Sequence, residues 1–112
     1  MAILSKSAIL SADDQRYDTV ACPEWGGDVR VRGLTAYEQS AIMKLGEEKK
    51  NEAVIKVVMF GVVDEDGQRL FDAEDVKQLQ TKSYVVIERL GKRILQLTGV
   101  GNQDEIEAAR KN

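Results

Sequence analysis

The sequence predicts an α+β fold, a small, predominantly helical single domain with an N-terminal β-hairpin, and three observations carry that expectation. Two short runs rich in β-branched residues, 18–22 and 28–32, flank Pro23 and the Gly26-Gly27 pair, which reads as a hairpin with a medium-length loop. Thr35 followed by Glu38 is a capping box that starts a helix directly after the second run. Tyr84, Ile87, Leu90, Ile94 and Leu97 recur at spacings of three and four, opposite Glu88, Arg89, Lys92 and Arg93, the pattern of an amphipathic helix. A chain of 112 residues makes one domain and buries about two-thirds of its unfolded surface. We divide it into an N-terminal arm or edge strand (1–16), an α+β body (17–99) and a flexible C-terminal tail (100–112).

Taken in order, residues 1–16 mix apolar and small polar residues without a firm period, which suits a short edge strand or a loose arm. In the hairpin, Val29 and Val31 alternate with Arg30 and Arg32, so one face is apolar and the other is basic and faces water. Gly33 ends the strand. The first helix, 36–45, places Tyr37, Ala41, Ile42 and Leu45 on one side and stops at Gly46, but Gln39 stands where a hydrophobic staple for Leu34 belongs. The charged run 47–51 leads into an apolar stretch, 52–60, whose periodicity suits either a buried helix or a strand; its helix-forming lead-in decides for helix. Residues 62–71 form a second small hairpin or tight loop around Asp66-Gly67. Asp72, ahead of Glu74 and Asp75, caps a short helix to 79 or 80, and Thr81 or Ser83 caps the last one, which Gly99 ends. Gly91 inside that helix costs stability unless another backbone packs against it. The tail holds one large apolar residue, Ile106, too little to offset the entropy of ordering it.

Composition narrows the function. The net charge is −3 and is spread evenly along the chain, so no basic arm points to nucleic acid. The longest apolar run, 57–63, is far too short to span a bilayer, and no basic n-region precedes the apolar residues of the opening. Cys22 is alone and fits a reducing compartment as a buried small hydrophobe. Histidine is absent, which removes the usual general base near neutral pH and the commonest metal ligand. Catalysis is thereby left to carboxylates, Lys, Tyr or Ser, and a binding role with no catalytic residues, no cofactor and no metal is expected ahead of an enzyme that works through paired carboxylates.

The remaining candidates concern surfaces. Asp64-Glu65-Asp66-Gly67 is a poor calcium loop, since with Gly67 at the sixth position the first and twelfth ligands fall on Val62 and Ala73. The acidic block 64–75 and the basic block 77–93 pair across the fold or a subunit boundary, or form a solvated face. Trp25 at the loop tip is either a partner anchor or folded back over the hairpin. Phe60, Leu70 and Phe71 read as core. Trp25, Tyr37, Arg30 and Arg32 are the candidate partner-binding residues.

The stretch from Pro23 to Arg32 leading into Leu34-Thr35, then Val63-Asp64-Glu65-Asp66-Gly67-Gln68-Arg69-Leu70-Phe71 with Asp75, and finally 83–99, resembles the tail assembly chaperones of long-tailed bacteriophages and prophages. The resemblance covers about residues 17–99. It implies a non-enzymatic assembly factor in the host cell cytoplasm that binds the tape measure protein, keeps it soluble and helps gather the major tail protein around it. In this family a frameshift commonly yields a minor, C-terminally extended form, whose joint would be the tail of this chain. A homo-oligomer is compatible with the resemblance; nucleic acid and membrane are not among the implied partners. The alternative from another class is a small structural tail component, a tail completion or minor tail protein, retained in the virion.

Overall fold

Strands β1 (Tyr17–Cys22) and β2 (Gly27–Arg32) pair antiparallel in the computed structural model, which describes residues 2–99. The register runs from Tyr17↔Arg32 to Cys22↔Gly27, and a 3-10 turn at Pro23–Trp25 closes the hairpin. Gly26 follows that turn with φ 83°, a left-handed conformation that favours glycine. The expected second hairpin is present in reduced form: Val63 bridges Arg69, and the Leu70 amide donates to the Val62 carbonyl at 3.2 Å. The same two valines do something the sequence did not announce. As strand β3 (Val62–Val63) they pair with β2, Arg30↔Val63 and Val31↔Val62, and complete a sheet of order β1-β2-β3.

Among the described residues there are five α-helices, α1 (Lys6–Ser11), α2 (Ala36–Met43), α3 (Lys50–Gly61), α4 (Val76–Leu79) and α5 (Tyr84–Thr98), of which α5 packs on the hairpin and α3 on α5. The N-terminal segment is thus neither an edge strand nor wholly irregular. Ser5 accepts the Ala8 amide and starts α1, whose residues are all exposed. The capping box at Thr35 and Glu38 forms as expected, and Asp72 makes another with Asp75. Ser83 stands at the N-cap of α5 without a capping bond, and Gly99 ends that helix at φ 97°. The expected apolar side of α2 does not hold: Tyr37 is 81% exposed, Ala41 and Ile42 are half-buried, and the fully buried residue is Glu38. Tyr84 also leaves its stripe for solvent, while Val86 joins Ile87, Leu90, Ile94 and Leu97 inside. Leu70 is exposed and Phe71 half-buried, so of the three residues read as core only Phe60 is fully so.

Cys22, Val31 and Val62 on one face of the sheet meet α3 and α5, with Leu34 and Leu79 closing the ends. Nearly all of the C-terminal half of α3 is buried, which explains why its apolar residues are too dense for a narrow stripe. One glycine sets how closely α3 and α5 approach. A Cβ on Gly61 would lie 2.5–2.7 Å from three side-chain atoms of Ile94, itself fully buried. Gly61→Ala is therefore expected to cost about 1–3 kcal/mol by overpacking, read by denaturant unfolding, with Gly61→Ala/Ile94→Val recovering part of the loss. At Gly91 the neighbour is a Val54 methyl, 3.4 Å from the ideal Cβ, and not the backbone that the sequence suggested. The close backbone approach falls at Gly33 instead, where a Cβ would stand 3.0 Å from the Leu97 carbonyl oxygen.

Candidate functional site

The four candidate binding residues separate. Trp25 is 39% exposed at the hairpin tip, and Tyr37 and Arg30 are exposed, but Arg32 is buried at 8% exposure. The alternation of β2 places Arg32 on the face away from the core, where Glu38 of α2 receives it. The guanidinium donates twice, Nη1 to Oε1 at 2.9 Å and Nη2 to Oε2 at 3.0 Å, and Nη1 also bonds the Gly33 carbonyl. Glu38, 2% exposed, takes the Thr35 amide at 2.9 Å and a further bond from Arg69, whose guanidinium stacks on Phe60. Burial pushes the Glu38 carboxyl up, but the bonds from Arg32, Thr35 and Arg69 together outweigh it and hold the pKa near about 2. This is a structural node that ties β2, α2 and the 64–71 loop together, and the Arg32 guanidinium is taken up within it. Arg30 remains outside, over the Tyr17 ring at 4.7 Å.

The basic block of α5 pairs with the hairpin and not with the acidic block that precedes it. Arg89 donates to both carboxylate oxygens of Glu24, at 2.8 and 2.6 Å, and to the Ala21 carbonyl at 3.3 Å; Arg93 Nε donates to Asp18 at 2.6 Å. The Arg89 bonds hold the Glu24 pKa at about 2, and Arg93 lowers that of Asp18. Arg16 accepts the Gly33 amide, so even-numbered residues of β1 bond toward β2 and odd-numbered ones point to the free edge. Arg89 therefore covers an acceptor on that edge, the kind of charged blocking that discourages strand addition. Exposed ion pairs contribute little stability; here the Arg89 pair ties the Pro23–Trp25 turn to α5 and the Arg93 pair ties the start of β1 to it. The Asp64–Asp66 turn is bonded within itself, Asp64 accepting the amides of Asp66 and Gln68, and no group among the described residues is arranged to hold a metal ion.

Beside the clamped hairpin tip lie three apolar hollows, each sharing one lining residue with the next, which together are called the groove. The first hollow, about 300 Å³, is lined by Trp25, Phe71 and Leu79 with Asp75 and Lys82. Lys82 also borders the second, about 220 Å³, formed by Val54, Ile55, Tyr84 and Ile87 beside Glu52. Val54 borders the third as well, about 320 Å³, formed with Val57, Gly91 and Leu95 between Glu88 and Lys92. Trp25 thus neither stands free nor folds wholly into the core: it forms one end wall. The other groove residues escaped sequence reasoning, and the available signal was the surplus of apolar residues on α3, more than one buried face requires. No helix among the described residues is long and apolar enough to cross a membrane. The tail, 100–112, lies outside the described residues.

No protein-family model matches the sequence, and no curated protein matches it. Among solved structures, that of the bacteriophage HK97 tail assembly chaperone matches with a TM-score of 0.66 and 23% identity, over 81% of this chain and 90% of that one. At that identity the likeness is one of fold. The chain therefore carries the fold of that tail assembly chaperone.

Proposed function

We propose that this protein is a phage tail assembly chaperone that binds the tape measure protein, keeps it soluble and helps recruit major tail subunits in the host cytoplasm, without catalysis or cofactor. The observation that carries the reading is the likeness to the HK97 tail assembly chaperone, which spans nearly the whole of that chain. The apolar groove supports it, because a partner with exposed apolar helices needs a surface of that kind to cover them. Co-expression is expected to raise the soluble yield of the cognate tape measure protein several-fold. Trp25→Ala should reduce that gain, since a large aromatic side chain at a partly exposed wall is a strong anchor. The protein should be absent from purified particles; finding it there would favour a structural tail component. An unchanged tape measure yield would remove the chaperone reading.

A further inference from the structure

We propose that the groove between α3 and α5 takes an amphipathic α-helix, about three to four turns long, that ends against Trp25; the proposal rests on the chaperone reading only for the identity of the protein that supplies the helix. Both long walls are helices whose backbone groups are bonded internally, so the groove offers no ladder of donors and acceptors to an extended peptide. Its occupant must satisfy its own backbone, and a helix does so. From Tyr84 to Leu95 the wall runs about 17 Å, and the Trp25 hollow adjoins it through the shared residue Lys82.

The rim carries both signs in each hollow, Asp75 with Lys82, Glu52 with Lys82, and Glu88 with Lys92. A surface of mixed sign is unsuited to a nucleic acid or an anionic membrane, which demand one sign throughout. It complements a helix with an apolar stripe flanked by both acidic and basic residues. The bidentate Glu24–Arg89 pair holds the end wall in place, one residue before Trp25. Gly91 keeps the third hollow deep: the missing side chain there leaves Val54 as the neighbouring surface.

The single tryptophan of the chain gives the test its reporter. The probe is a synthetic tryptophan-free peptide of about four helical turns, with leucines on one face and Glu and Lys on both flanks; the control is the same composition in scrambled order. Titration of the full chain should give a saturable shift of Trp25 emission with the helical peptide and none with the scrambled one. Gly91→Leu, which fills the third hollow, should weaken binding at least tenfold. Gly91→Ala, which meets ordinary contact and improves helix propensity, should weaken it less and raise the melting temperature. Tyr84→Ala, at an exposed wall residue, tests the second hollow with no threat to folding and should weaken binding several-fold. Equal binding of the scrambled peptide, or unchanged affinity in the Gly91→Leu and Tyr84→Ala proteins, overturns the proposal. A chain that binds the peptide yet leaves the tape measure protein insoluble keeps the groove and loses the chaperone reading; the reverse pattern removes the groove alone.

Discussion

Glu38→Ala is expected to destabilise the protein by about 3–5 kcal/mol, because it strands the buried Arg32 guanidinium without its counter-charge. That is a large share of the total stability of a domain of this size, and the melting temperature should fall by roughly 10 °C or more. The loss reflects an unpaired charge more than the intrinsic worth of the pair. A joint Arg32→Met/Glu38→Leu replacement should accordingly cost much less than Glu38→Ala, and equal losses in the two proteins would mean that packing, not charge, dominates the node. The same carboxylate ties stability to pH. Its folded pKa is depressed from 4.5 to about 2, so its contribution is complete above the unfolded value and is lost as pH falls from 4.5 toward 2. Glu24 and Asp18 are depressed as well and add to the acid loss. The measurement that isolates Glu38 is the difference between wild type and Glu38→Gln across that window: the two curves should converge as pH approaches 2, and a constant gap would contradict the linkage.

Ile94→Ala should cost about 2–5 kcal/mol, the range for removing buried methyl groups without full collapse of the site. Ile94 is fully buried and packs on Gly61, which has no side chain of its own to fill the space that Ile94 would leave. A cavity should therefore persist, and the loss should lie in the upper part of the range. Gly61→Ala/Ile94→Ala supplies the check. Each change alone is destabilising, one by a void and the other by crowding, but together they offset, so the double variant should be more stable than Ile94→Ala by itself. Denaturant unfolding of the four proteins completes the cycle; additive losses would mean that Gly61 and Ile94 do not share one space.

The elements legible in the sequence are those whose signals are local. The hairpin at 17–32 was announced by Pro23 and Gly26, the start of α2 by Thr35 and Glu38, and α5 by its regular apolar spacing up to Gly99. Each depends on conformational preference or on hydrogen bonds within a few residues. The resemblance to tail assembly chaperones lay in the same local stretches and their order, and the fold agrees with it. What only the tertiary structure decided is where charged and half-apolar residues end up. Arg32 and Glu38 are six positions apart and look like surface residues by pattern, yet the fold brings them together, buries both and recruits Arg69 to the same carboxylate. Val62–Val63 is too short to signal a strand, and it becomes one because β2 has an unpaired edge beside it. The acidic and basic blocks adjoin in sequence, but α5 lies over the hairpin and gives Arg89 and Arg93 to Glu24 and Asp18. The groove that we assign to a partner helix arises in the same way, from the seam of two helices distant in sequence. Patterns within one segment report which face is apolar, while the depth and length of a groove depend on how two such faces are set beside each other.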